Sequence, residues 1–455
     1  MSNAFITIIS FLFTVGVLVV IHEYGHYTVA RLLDVKILKF SVGFGRALWT
    51  RRRGRDQTEW TISAVPLGGY VKMLDEREGE VAEEDRPRAF NRKSVWARIA
   101  IVLAGPAANF LLAFALYWVL FITGLPGMKP VLGDPPVNSP AAAAGLANGD
   151  TLRALGDELV YTWTDVRWLL LKEAVKREAV TLEVELPGGG RATRRLELAG
   201  ISKEDLDRDF LGKLGLRPFR PPAPATLGRV LPSSAAERAG LNAGDRVVAI
   251  DGKSIGTWFD FTGVVSASPG KTLVLEVERQ GRRFELRATP DPVPEDARRG
   301  RLGVEPGAEL KREYERMTTT VRYGPVEAIG RAAHKVVDLS VFSVKMLGRM
   351  IVGDVSWKNL SGPITIADYA GQSVQLGWIT YLGFLALVSV SLGVLNLLPI
   401  PLLDGGHLVY YFAEIVKGSP VSERTMELGQ RFGLALLLGL TFFAFYNDLN
   451  RLFTG

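Results

Sequence analysis

His22-Glu23-Tyr24-Gly25-His26 stands at the inner end of an apolar run that begins near Ala4, and Glu23 is the first charge in the chain. Read as a helix, the stretch places His22 and His26 one turn apart on the same face. That spacing lets two imidazoles grip one zinc ion while Glu23, beside them, serves as general base. An ionisable side chain at membrane depth costs about 2.5–3.5 kcal/mol on insertion scales, so such a group seldom sits there without a role.

The remaining composition supports a membrane setting. The chain has 455 residues, 47% of them hydrophobic, and the apolar ones are clumped into Ala4–Ile21, Ile99–Ile122, Val374–Leu403 and Phe432–Tyr446. A crossing takes about 20 residues, which the second and third runs supply and the fourth barely approaches. The first run lacks a basic start and a small-residue cleavage site, so it reads as a retained span rather than a signal peptide. Cysteine is absent, so any zinc site must use nitrogen and oxygen ligands. The net charge of +6 is modest and calls for no nucleic-acid partner.

Topology accounts for the basic residues instead. Arg46, Arg51, Arg52, Arg53 and Arg55, then Arg86, Arg88, Arg92, Lys93 and Arg98, fall between the first two runs. Basic residues close to spans mark the cytoplasmic side. Both termini are then outside, 27–98 inside, and about 123–372 extracytoplasmic. Within 27–98, Ile37–Gly45 and Trp60–Val65 have strand character, and Pro66-Leu67-Gly68-Gly69-Tyr70-Val71-Lys72-Met73 reads as a turn followed by another strand. These β elements are expected against the bilayer, beside the histidines.

The extracytoplasmic section contains a repeat. Gly145 and Gly240, Asp150 and Asp245, and Trp163 and Trp258 are each 95 residues apart, which indicates two homologous domains. The alanine-rich approach, the Gly-Leu step and the Gly-Asp that follows resemble PDZ domains, which bind extended peptides at a sheet edge. The second copy adds Ile250-Asp251-Gly252, and the Pro-rich 218–224 is a natural linker. Beyond them, Val326, Ile329, Ala333, Val337 and Val341 recur near helical spacing and suggest an amphipathic, interfacial helix over 323–353.

A catalytic zinc usually keeps three protein ligands and one open position. With four histidines in the chain, the third ligand is a carboxylate or one of His334 and His407. Asp404 is the first charge after the third apolar run, within Asn396-Leu397-Leu398-Pro399-Ile400-Pro401-Leu402-Leu403-Asp404-Gly405, and two spans separate it from His26. Both sites therefore reach the same side of the membrane.

Taken together, these motifs resemble the bacterial site-2 proteases of the regulator-of-sigma-E type, intramembrane zinc metalloproteases with tandem PDZ domains. Ser361-Gly362-Pro363 also matches, and the likeness covers nearly the whole chain in the family's order. The resemblance implies His22, His26 and Asp404 as ligands of Zn2+ and Glu23 as catalytic base. It implies that Asn396 holds substrate and that Gly43 and Tyr70 belong to β elements near it. It further implies an inner-membrane enzyme with its active site near the cytoplasmic side. Its substrates would be single-span proteins such as trimmed anti-sigma factors, and remnant signal peptides. The architecture expected is a polytopic α-helical membrane protein with four spans, membrane-associated β elements and two mixed α/β PDZ-like domains. Its segments are 1–122 (two spans and the β segment), 123–220 and 221–310 (the repeats), 311–372 (the amphipathic segment) and 373–455 (two spans). Two rivals are a membrane-anchored PDZ scaffold or chaperone without catalysis, which leaves Glu23 and Asp404 unexplained, and a metal transporter, which should carry ionisable residues through more of its spans.

Overall fold

In the computed structural model, which describes residues 2–176, 179–198, 210–293, 296–353 and 362–454, the chain divides into two units. One comprises Met1–Leu125 with Arg322–Thr454, and the other Pro126–Val321.

Among the described residues of the first unit, four helices are long and apolar enough to cross a membrane: Ala4–Leu32, Val95–Thr123, Trp378–Asn396 and Glu423–Asn450. Helix α1 (Ser2–Leu32) and helix α2 (Val95–Thr123) cross closely. A Cβ on Gly25 would stand 2.2 Å from the Ala104 carbonyl oxygen, so glycine is what lets the backbones meet, as small residues do between membrane helices. The outward faces stay apolar: Phe5, Phe13 and Phe442 are exposed, a surface suited to lipid tails rather than water.

Two expectations change here. The run Val374–Leu403 is split by Gly377, whose φ of 113° ends a helix at Gln375 and starts the third span at Trp378. The fourth apolar run, short in sequence, lies within a helix that extends over Glu423–Thr454.

Strand β1 (Ile37–Arg53) and strand β2 (Thr58–Met73) pack against α1. Pro66–Gly69, expected to be a turn, instead lies within β2, which bends there. Phe40 consequently has a partner on each side, Val71 on one and Trp60 on the other. Tyr27 of α1 closes this small core, its ring 5.1 Å from that of Trp60 and 5.8 Å from that of Phe40.

The helix Pro325–Ile351 follows the second unit. It buries Ala328, Ala332, Val336 and Leu339 against the spans. The residues that suggested its apolar face lie elsewhere: Val326, Ile329, Val337 and Val341 are exposed. Periodicity revealed the helix, whereas its neighbours decided which of two apolar stripes is covered. In Ser361-Gly362-Pro363, Ser361 lies outside the described residues. Gly362 and Pro363 start the helix Pro363–Gln375, and the reason is visible in the last span. Asp448 accepts hydrogen bonds from the backbone N–H of Gly362 (3.0 Å), Ile364 (2.9 Å) and Thr365 (3.1 Å). Proline takes the one position without a donor, and a Cβ on Gly362 would sit 2.5 Å from the Asp448 carboxylate.

The second unit carries two four-stranded sheets. One is ordered Glu158–Leu159, Thr151–Leu155, Val180–Glu185, Arg191–Leu196, and the other Lys253–Ser254, Arg246–Ile250, Leu273–Arg279, Arg282–Ala288. Alternation along each strand feeds a separate core, with Leu152, Val166, Leu170 and Leu182 in the first and Val247, Phe261, Leu275 and Val277 in the second. The repeated aspartates do the same work in both. Asp150 accepts from the Ala147 N–H at 2.9 Å and Asp245 from the Asn242 N–H at 2.8 Å. Leu310 and Tyr314, on the helix Ala308–Met317, pack into the second core, so the expected boundary at 310 falls inside a helix of this unit.

Candidate metal centre

His22 and His26 are buried on α1, 8% and 9% exposed, in a span whose other faces are apolar. Their Nε2 atoms lie 3.2 Å apart. Asp404 completes the group: its Oδ2 is 3.2 Å from Nε2 of His22 and its Oδ1 3.5 Å from Nε2 of His26. One ligand atom from each of the three can be chosen so that all lie within 4.8 Å of one another. Two imidazoles and a carboxylate suit zinc.

The residue 382 positions further on reaches α1 through a sharp reversal of chain. Asp404 opens the helix Asp404–Lys417, two residues after Leu402, whose φ of 90° is uncommon for a branched side chain. The two glycines after Asp404 allow the fold-back. A Cβ on Gly405 would lie 2.2 Å from the Leu398 carbonyl oxygen, and one on Gly406 2.5 Å from that of Ile400. A partly buried ion pair holds this helix to α2: Arg98 grips both oxygens of Glu414, at 3.1 and 2.5 Å, and lies over the Tyr411 ring.

Further groups stand behind the histidines. The Ile101 carbonyl oxygen lies 2.8 Å from Nδ1 of His26, and the Asn109 side chain 3.1 Å from Nδ1 of His22. A carbonyl can only accept, so it keeps the proton of His26 on Nδ1 and leaves Nε2 free for a metal. Gly105, also on α2, lies against both imidazoles; its absent side chain is the space they occupy.

The group opens on a cavity of about 1120 Å³, whose lining includes Glu23, Phe44, Tyr70, Asn396 and His407. The β2 backbone at Val71 lies beside Glu23 on the wall of this cavity. Gly69 makes this approach possible, for a Cβ there would meet Ser41 O at 2.7 Å and Glu23 Cγ at 3.1 Å. Of the residues singled out in sequence, His22, Glu23, His26, Asp404, Asn396 and Tyr70 share this cavity. Gly43 is not on its wall. It takes a φ of 89° in β1, with the Val65 carbonyl oxygen 2.7 Å from where a Cβ would be, and it leads into Phe44, whose ring stacks on Tyr70 at 6.2 Å. His407 lines the cavity outside the three-residue group, and His334 is exposed on another helix.

Comparison with known proteins gives the family. The sequence profile of peptidase family M50 matches residues 10–440. The chain belongs to this family. It is 45% identical to the regulator of sigma-E protease RseP of Escherichia coli, over 97% of this chain and 98% of that protein. It is 42% identical to protease RseP of Yersinia pestis, over 97% and 98%. A Neisseria meningitidis relative carrying a zinc-metalloprotease name is 43% identical over 98% and 99%. This M50 member is therefore an intramembrane zinc metalloprotease of the site-2 type, and a scaffold without catalysis is not what it is.

Sequence reasoning missed Gly105, Asn109, Gly69 and the Ile101 carbonyl. Two of them had left a signal. Asn109 is an amide within the apolar run of α2, and Gly105 is a glycine inside a helix, where it costs about 1 kcal/mol relative to alanine.

Proposed function

We propose that His22, His26 and Asp404 hold the catalytic zinc, that Glu23 is the general base, and that the enzyme cuts peptide bonds inside the membrane-spanning segments of single-span proteins. The observation that carries the reading is the convergence of two histidines from α1 with Asp404, all ligand atoms within 4.8 Å, on the cavity that Glu23 and Asn396 also line. The residues fit the ion, since Asp404 Oδ2 is buried and makes no other hydrogen bond. Bound zinc supplies Lewis acidity, which polarises a carbonyl and brings the pKa of a water towards about 7. Glu23 accepts a proton at its carboxylate and returns it to the leaving nitrogen.

A substrate helix hides its carbonyls in its own hydrogen bonds and must unwind to be cut. Residues 69–73 of β2 line the cavity and are suited to pair with the extended form by strand addition. The Asn396 amide is suited to hold backbone groups that have lost their helical partners. The name of the Escherichia coli relative, a regulator of sigma-E protease, favours anti-sigma-factor-like membrane substrates; our reading is that these arrive already trimmed outside, and that remnant signal peptides share their chemistry. The basic residues between the first two spans favour an orientation with the zinc near the cytoplasmic side of the bacterial inner membrane. The termini and the two sheet-bearing repeats, read as PDZ-like, would then be periplasmic.

The test is zinc content and cleavage of a single-span substrate in detergent. Glu23→Gln should keep zinc and lose about 10²–10⁴-fold in rate, whereas Asp404→Ala should lose zinc as well. Full zinc and activity in Asp404→Ala would remove it from the ligand set, and an active Glu23→Gln would remove the base.

A further inference from the structure

We propose that Asn109 is a positioning residue for the metal centre, its side-chain oxygen accepting the Nδ1 proton of His22 and so presenting Nε2 to the ion. The inference rests on the ligand set proposed above. His22 must bind through Nε2, because that is the atom facing Asp404 at 3.2 Å and His26 Nε2 at 3.2 Å. A neutral imidazole that ligates through one nitrogen carries its proton on the other. Nδ1 of His22 therefore needs an acceptor, as Nδ1 of His26 has in the Ile101 carbonyl.

Asn109 is the group in reach, completely buried and 3.1 Å away, with its NH₂ towards Nδ1 while its Oδ1 has no hydrogen-bond partner. The two ends of an amide fill nearly the same space and differ only in hydrogen bonding. With Nδ1 protonated, as ligation through Nε2 requires, that NH₂ would face a second donor, and turning the amide over puts the accepting oxygen there instead. The amide is well placed to do it without moving its helix. Its own backbone carbonyl accepts from the Ser389 hydroxyl at 2.7 Å, which ties α2 to the third span independently of the side chain. One turn before it, Gly105 clears the room in which the rings stand.

Substitution with a carboxylate separates positioning from packing, because aspartate has asparagine's shape but can only accept. Zinc dissociation is measured by chelator competition on the full-length protein in detergent for wild type, Asn109→Asp, Asn109→Ala, Ser389→Ala and His22→Ala. Asn109→Ala should bind zinc about 10–100-fold more weakly, the usual effect of losing a partner behind a metal-ligating histidine. Asn109→Asp should bind at least as tightly as wild type, and Ser389→Ala should match wild type. The ¹⁵N shifts of His22 in the zinc-loaded protein should report a protonated Nδ1 in wild type and Asn109→Asp. If Asn109→Asp loses as much affinity as Asn109→Ala, the residue acts by packing alone and the inference falls. It also falls if Asn109→Ala binds normally while His22→Ala does not. Normal binding by His22→Ala would instead overturn the ligand set itself.

Discussion

A Cβ on Gly105 would stand 2.3 Å from Nε2 of His26 and 2.8 Å from Cε1 of His22. No real pair of atoms survives at the first distance, so any side chain at 105 must push the imidazoles out of position. Gly105→Ala is expected to lower zinc occupancy and cut cleavage at least about 10²-fold, the scale of a misplacement near 1 Å, while the four spans still assemble. Gly330→Ala is the matched control: nothing lies within 4 Å of its Cβ position, on the exposed side of the helix Pro325–Ile351. Zinc analysis and cleavage by both variants decide the matter, and a fully loaded, fully active Gly105→Ala would refute it.

Asp448 should matter for stability rather than for chemistry. Its carboxylate takes three backbone N–H groups and the Thr365 hydroxyl at the start of the helix Pro363–Gln375. Asp448→Ala leaves those donors buried and unpaired, at a cost of about 1–3 kcal/mol. Thermal unfolding in detergent should show a lower midpoint with zinc affinity retained by the folded fraction. An unchanged midpoint would mean water replaces the carboxylate.

The orientation read from the basic residues predicts where reporters work. An enzyme active only outside the cytoplasm should function when fused near Gly252 and fail when fused near Gly54. The reverse pattern would put the repeats in the cytoplasm.

The second unit begins and ends at neighbouring points, since the Lys129 N–H donates to the Met317 carbonyl at 2.7 Å. Residues 130–316 can therefore be replaced by a short linker without stretching the chain. If the repeats act as a bulky filter, that deletion leaves trimmed substrates cleavable and lets untrimmed ones be cut as well. If they capture peptide at a sheet edge, it slows cleavage of the trimmed form. Rates for both substrates in both proteins distinguish the two, and continued rejection of the untrimmed substrate would exclude the filter.

Much of this protein was legible in one dimension. Four apolar stretches, the His22–His26 spacing, Asp404 at the end of a long uncharged run and the 95-residue repeat all depend on local pattern, and local pattern is what burial in lipid and helical periodicity impose. What the chain's order could not specify was which side chains stand behind the proposed ligands. Asn109 and Gly105 serve His22 and His26 across a helix crossing, a relation with no fixed sequence offset. The bend of β2 at Pro66–Gly69 likewise depends on Lys39–Val42 pairing on both its sides. The covered face of Pro325–Ile351 was decided by packing for the same reason. Two stripes of similar apolarity lie on that helix, and the position of the neighbouring spans decides between them.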